Sequence, residues 1–460
     1  MIQLSLSAED KLLVYCSRLD MGEDIKFKLE KILGNYLDWN YIVDRSTEQG
    51  ILPLLYWNLS KICKGKNVPS EIMRSLENTY NSILAWNMLR YDELNRILTA
   101  FKKIGIDTIV LKGAFLAEEI YKNIGLRSMT DIDLLIKEED LEKVKKEMIK
   151  LMYSVEKFAP TKLHERLETV LYNELQFFHT NKKISIEIHW NISNPAESYN
   201  VDIDKFWENA KPIKIADAET LMFTSEDLLQ HLCLHLENHL NSNNPRAAKP
   251  FRCYCDIAAV TRHYKETINW KYLLQSTRSC GIEKPVFQSL FIANKCFGAL
   301  VPKYVLSEFE SVKSDTAPEN IFREKIENNP NRKEDRLNAE IRLLSEYFKT
   351  LELAEGTLNK SPILFGDIFP YKEFMMHRYA IKNGKQVYLY YLIRSDTALQ
   401  CELSISLGDI NPSKELMVHR YTINNEKQVY LYHLIFSGTA FLRCGLVILW
   451  QLPYIVRSHI

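Results

Sequence analysis

At 460 residues the chain is long enough for about three domain-sized units, because one hydrophobic core rarely grows past roughly 250–300 residues. A composition of 46% hydrophobic and 26% charged residues, with only 15 Gly and 15 Pro, excludes a fibrous or low-complexity chain and argues against long disordered linkers. Lys plus Arg and Asp plus Glu both number 59, so no overall field steers the chain onto bulk nucleic acid or an anionic membrane. The nine cysteines are scattered, with no Cys-x-x-Cys pair, and read as reduced thiols. The opening MIQLSLSAEDK lacks a basic stretch followed by an apolar one, so no secretory signal is expected and the cytoplasm is the expected compartment. The most apolar window, Ala440 to Val456, is broken by Arg443, Gln451 and Pro453, and no transmembrane span is expected there.

In chain order, apolar residues first recur at three and four, as in Ile83, Trp86, Leu89, Tyr91 and Leu94, which predicts a helical N-terminal region over residues 1–95. The pattern changes at Ile104-Gly105-Ile106-Asp107-Thr108-Ile109-Val110-Leu111, a β-branched run that predicts a buried strand. Ala114 to Lys122 has helical composition, Asp131 to Ile136 reads as a second strand, and Glu138 to Met152 as an amphipathic helix. Lys183 to Trp190 alternates apolar and polar residues as a strand with one covered face does, with 174–180 as its hairpin partner. These elements make an α/β core of residues 96–215. From Leu228 the helical period returns and predicts a helical domain over 216–353. The remaining 354–460 holds a tandem duplication: 366–393 aligns without gaps on 408–435, with 20 of 28 positions identical. Two copies are too few for a solenoid or propeller, so the repeat reads as a duplicated small element.

The chemistry gathers in the core. Lys112 and Gly113 lie between a strand and a helix, where a glycine allows a sharp turn, the helix start favours a phosphate, and Lys112 adds positive charge. Arg127 follows, then Asp131-Ile132-Asp133 on a strand. Residues two apart project from one face, so Asp131 and Asp133 are expected to point together. Adjacent carboxylates repel, and a hard divalent cation with oxygen ligands relieves them; Glu187, on the alternating strand, is the expected third acid. Asp202-Ile203-Asp204 has the same spelling without the Lys-Gly turn and reads as a solvated helix start.

Those motifs carry a resemblance. ILPLLYWNL (51–59), GIDTIVLKGAFLAEEIYKNIGLRSMTDIDLLIKEEDLEKV (105–144), IEIHWNI (186–192) and EDLLQHLCLHLENH (226–239) together resemble the uncharacterised nucleotidyltransferase family of bacteria, within the DNA polymerase beta-like superfamily. The resemblance implies an α+β fold: a small mixed β-sheet core flanked by helices, with helical N-terminal and C-terminal regions. It implies that Asp131 and Asp133 bind magnesium, as two ions, that Glu187 completes the acidic set, and that Lys112, Gly113 and Arg127 approach the triphosphate. The implied reaction moves a nucleoside monophosphate from a nucleoside triphosphate to a hydroxyl or phosphate of an acceptor, which is a small molecule, peptide or protein. The alternative is a catalytically silent protein of the same fold, acting as a nucleotide-binding or protein-interaction module. The superfamily usually has Gly-Ser or Gly-Gly where this chain has Gly113-Ala114, and many relatives have Leu-Gly-Tyr where it has Leu151-Met152-Tyr153.

His231, His235 and His239 repeat at four and share a helix stripe. HLCLH lacks the glutamate of the His-Glu-x-x-His motif, so a structural or substrate-facing role is expected, with His235 kept as a weak candidate. His189 shares a strand face with Glu187 and is expected to orient groups around the metal. Arg252 and Asp256 are spaced as an intrahelical ion pair; the resemblance places a similar acid near the pocket, which keeps Asp256 as a weak candidate.

Overall fold

The helical N-terminal region consists of α1 (Ala8–Cys16), α2 (Glu23–Leu33), α3 (Trp39–Glu48), α4 (Leu52–Cys63) and the long α5 (Ser70–Lys103). Polar residues just ahead of the apolar runs start two of them. The Ser7 side chain accepts from the Asp10 backbone N–H, and that of Asp38 from Tyr41 N–H, satisfying donors that a helix end leaves unpaired. The last turns of α5 bury Leu94, Ile97, Leu98 and Phe101, the three-and-four spacing of a helix laid against a sheet. The computed structural model describes residues 6–63, 67–155, 173–193, 199–241 and 249–309. All of these fall in one compact unit. The tandem duplication at 366–393 and 408–435 lies outside the described residues.

The sheet has seven strands: β1 (Ile109–Val110), β2 (Ile132–Leu135), β3 (Tyr153–Val155), β4 (Glu174–His179), β5 (Ser185–His189), β6 (Lys211–Ile215) and β7 (Ala218–Met222), in the order β3-β4-β5-β2-β1-β7-β6. It is mixed. β2 runs parallel to β5 and β1 to β7, while the other neighbours are antiparallel. β2 is buried at every position, as a central strand covered on both sides must be. β1 is shorter than the run from Ile104 predicts. Ile104 caps α5, and Gly105 turns the chain with φ +73°, so pairing begins only at Ile109. The expected hairpin of 174–180 with 183–190 forms as β4 and β5, Gln176 facing Glu187.

β7 carries the sheet beyond Ile215, paired antiparallel with β6. Ile215 pairs with Ala218, leaving a two-residue loop of Ala216 (φ +49°) and Asp217 (φ +60°), the doubly left-handed form that matches strand twist. Met152 holds φ +67°, a conformation that costs a non-glycine residue about 1–2 kcal/mol.

Between β1 and β2 lie α6 (Lys112–Phe115) and a π-helical turn, Leu116–Ile120. Between β2 and β3 lies α7 (Leu141–Lys150), and before β6 comes α8 (Ile203–Asn209), started at Asp202 as the solvated helix reading expected. After the sheet, α9 (Ser225–Asn241) packs on α10 (Pro250–His263), with α11 (Trp270–Cys280), α12 (Glu283–Ile292) and α13 (Lys303–Glu308) beyond. α10 also packs on the π-helical turn, which brings the centre of that helix beneath the segment leading into β2. Among the described residues, no helix is long and apolar enough to cross a membrane.

Candidate functional site

The parallel register of β2 and β5 sets Asp133 beside Glu187 and Leu135 beside His189. The strand period then turns Ile132, Leu134, Ile186 and Ile188 into the core and the two acids to the other face. Asp133, Glu187 and His189 each bring one donor atom to within 4.8 Å of the others. Asp133 Oδ1 accepts from Lys112 Nζ at 2.8 Å and lies 3.2 Å from His189 Nε2. That imidazole nitrogen is also 3.7 Å from Glu187 Oε2, while Nδ1 is 3.4 Å from Glu174 Oε2 on β4. Gln176 Nε2 donates to Glu187 Oε1 at 3.3 Å.

Burial opposes every charge here, and the pairings decide which charges survive. For Asp133, burial is outweighed by Lys112 and His189, which hold its carboxyl well below the usual range. Burial also works against the Lys112 ammonium, but Asp133, Glu187 and Asp131 raise it above the ordinary lysine value. His189 is penalised by burial and still rises to about 9 through its hydrogen bonds to Asp133 and Glu187. Glu187 is pushed up to about 7, first by burial, then by Asp133 and Asp131, against the His189 hydrogen bond. Two oxygen donors and a nitrogen on rigid neighbouring strands, with Glu187 short of positive charge, fit a divalent cation. Lys112 and His189 supply the positive charge that faces Asp133 in this structure.

The expected site residues separate into groups. Asp133 and Glu187 converge, with His189 as third donor, in line with the shared strand face. Asp131 does not join those donors, because β2 begins at Ile132 and Asp131 sits in the bend before it, its carboxylate accepting from Thr130 Oγ1 at 3.0 Å. Lys112 is at the acids, aimed there by a left-handed backbone of φ +35°. Gly113 serves packing, since a Cβ there would come within 2.9 Å of Arg127 Nη1 and of Met129 Cγ. Arg127, expected to face phosphate, is instead engaged in a buried ion pair with Asp256: Nη2 to Oδ2 is 2.9 Å and Nε to Oδ1 is 3.4 Å. Tyr121 donates its hydroxyl to the same carboxylate at 2.8 Å. Asp256 therefore pairs with Arg127 across 129 residues of sequence, and Arg252, four residues away on its helix, turns its Nη1 to the Ser128 carbonyl at 3.4 Å. Tyr121 and Glu174 carried no motif signal; a period-two reading that included Glu174 is the one cue that placed it opposite His189.

The histidine stripe of α9 lies near these acids. His231 is 4% exposed, packs edge-on against Phe223, and neither ring nitrogen has a hydrogen-bond partner. His235 and His239 approach each other at 2.9 Å between Nε2 atoms. Burial is the first cause that keeps all three neutral, with Lys112 next: His231 is pushed down to about 3, His239 to about 4, and His235 well below its usual value. In the unfolded chain each titrates near 6.5. Below that pH the unfolded state binds more protons, so stability falls as pH drops from about 6.5 toward 4, by up to about 1.4 kcal/mol per pH unit for each histidine. Asp133 attracts protons to His231, but burial, Lys112 and His189 together outweigh it. His231→Phe removes one titration and keeps the ring contact. Urea unfolding at pH 7 to 4.5 is expected to show a stability profile shallower than wild type by about 1.4 kcal/mol per pH unit; parallel profiles would contradict a neutral buried His231.

The model of a family described as uncharacterised nucleotidyltransferase matches residues 35–298, more than half of the 460-residue chain. Neither the curated proteins nor the solved structures include a match to the chain. The matched span covers Lys112, Asp133, Glu187, His189 and the α9 stripe, and on that basis the chain belongs to the uncharacterised nucleotidyltransferase family.

Proposed function

We propose that the protein is a magnesium-dependent nucleotidyltransferase that moves a nucleoside monophosphate from a nucleoside triphosphate to a hydroxyl or phosphate of an acceptor. The observation that carries this reading is the placement of Asp133 beside Glu187 on adjacent parallel strands, with His189 as a third donor within 4.8 Å. Asp133 and Glu187 would hold the divalent cation, and Asp131 adds negative charge at longer range, as its effects on Lys112 and Glu187 indicate. Such a cation, when bound, stabilises the charge that develops on the departing pyrophosphate and makes an acceptor hydroxyl more acidic.

The chain's own residues do the rest. Glu187 has a side chain 21% exposed against 5% for Asp133, so Glu187 is the carboxylate that an acceptor hydroxyl meets. In the transfer, a bond forms between the acceptor oxygen and the α-phosphorus, the bond from that phosphorus to the β-phosphate bridging oxygen breaks, and pyrophosphate leaves. The hydroxyl proton passes to Glu187. Lys112, fixed by its bond to Asp133, keeps a positive charge at the acids; His189 is held in place from β4 by Glu174.

The pairing of Asp133 with both Lys112 and His189 favours a second reading, a catalytically silent nucleotide-binding module in which that carboxylate is already balanced. Labelled nucleoside triphosphates, magnesium and a lysate as the acceptor source separate the two. Pyrophosphate release with a labelled acceptor is the expected result. Silence with all four nucleotides, alongside nucleotide binding, would overturn the transferase reading.

A further inference from the structure

Three cations around Asp131 have no acidic partner. Arg90 comes from the middle of α5; Lys249 and Arg252 come from the start of α10. Among the described residues none of the three makes an ion pair, although the chain pairs many lysines and arginines elsewhere. Arg90 Nη2 donates to the Thr130 carbonyl at 3.3 Å and Arg252 Nη1 to the Ser128 carbonyl at 3.4 Å. Guanidinium groups from two helices therefore close on the same short stretch that leads into Asp131. The Nε of each is buried with no hydrogen-bond partner. Lys249 runs alongside Arg252 over Gly50, where a Cβ would lie 3.0 Å from Lys249 Cδ and 3.3 Å from Arg252 Cδ. A bare glycine at φ +68° leaves room for both stems.

Their electrostatic setting is consistent. Burial lowers Arg90, Lys249 and Arg252 below their ordinary values, and the acid in reach of all three is Asp131. Asp256 also acts on Arg252, yet neither acid forms an ion pair with any of the three cations, and buried charges left without a paired partner collect where a ligand supplies what the chain omits. Arg90 also borders a cleft of about 240 Å³ with Trp86, Asn87, Ser128 and Lys183, so its side of the Ser128–Thr130 stretch has a space that a ligand can enter. Arginine donors in a planar fork suit phosphate oxygens, and Lys249 adds a point charge.

We propose that Arg90, Lys249 and Arg252 form an anion subsite that receives the polyphosphate chain of a nucleoside triphosphate, on the Asp131 side of the acids. The name of the ligand rests on the transferase reading; the anion subsite does not. A phosphate monoester carried by the acceptor shares the chemistry, and the number of phosphates distinguishes the two sources.

The test is calorimetry on the full chain without divalent cations, using tripolyphosphate and, separately, orthophosphate. Wild type is expected to bind tripolyphosphate at least about tenfold more tightly than orthophosphate, and Arg90→Gln and Arg252→Gln each to weaken tripolyphosphate binding about tenfold or more. Should the glutamine variants unfold, hydrogen exchange on wild type decides the same question, since tripolyphosphate is expected to protect 128–131 and 249–252. No tripolyphosphate binding, equal affinity for orthophosphate, or glutamine variants that bind as wild type would overturn the proposal. A silent transfer assay together with the expected binding pattern leaves the subsite in place and removes only the transferase reading.

Discussion

Asn in place of Asp133 is expected to lower nucleotidyl transfer by at least about a thousandfold. A bound divalent cation contributes several kcal/mol of charge stabilisation, each 1.36 kcal/mol is about a factor of ten in rate, and Asp133 is the most buried acid in the donor set. The same change acts on stability. Lys112 Nζ and the His189 ring both face Asp133 Oδ1, and an amide there leaves a buried ammonium without its partner, a loss of about 3–5 kcal/mol. Transfer is therefore measured below the variant's own unfolding midpoint. Adding Lys112→Met is expected to restore much of the stability and none of the transfer. An Asp133→Asn protein that keeps transfer within about tenfold of wild type would remove Asp133 from the chemistry.

Asp256→Ala is expected to destabilise the fold by about 3–5 kcal/mol, read as a fall in the urea midpoint. Arg127 is 6% exposed and Asp256 1%, so removal of the acid leaves a buried guanidinium uncompensated and takes away the acceptor of the Tyr121 hydroxyl. The consequence reaches the site through the chain. Arg127 Nη1 also holds the Ser128 carbonyl at 3.1 Å, and Asn87 Nδ2 holds the Arg127 carbonyl at 2.9 Å, so this pair fixes the approach into β2. Asp256→Ala with Arg127→Met is expected to recover most of the loss, since an apolar pair is tolerated where a lone charge is not. A single variant that loses less than about 1 kcal/mol would show that the pair does not secure the segment.

What the sequence made legible follows from range. β4, β5 and the placement of Glu187 were readable because period-two alternation is local and Ile186 and Ile188 fix which face is covered. His189 was readable for the same reason. Asp131 was not, because whether a strand begins at residue 131 or 132 depends on the hydrogen bonds of its neighbours, and a shift of one residue changes which side chains converge. The role of Arg127 depended on an acid 129 positions away, and an intrahelical partner for Asp256 was the nearest local alternative. β6 and β7 carry exposed positions such as Lys211, Pro212 and Glu219 at the sheet edge, where periodicity is weak. The sequence puts Lys112 at a phosphate, whereas the group that faces it in the structure is Asp133, an acid positioned by the antiparallel register of β1 on β2.

The central claim is that Asp133 and Glu187 share a divalent cation, and diffraction from crystals grown with manganese tests it most directly, because manganese takes the same oxygen ligands as magnesium and its anomalous signal marks its position. An anomalous peak against the two carboxylates, with Lys112 displaced from Asp133 and no such peak in Asp133→Asn crystals, is the predicted result. Manganese-saturated crystals that show no peak at these residues, with Lys112 still bonded to Asp133, would contradict it.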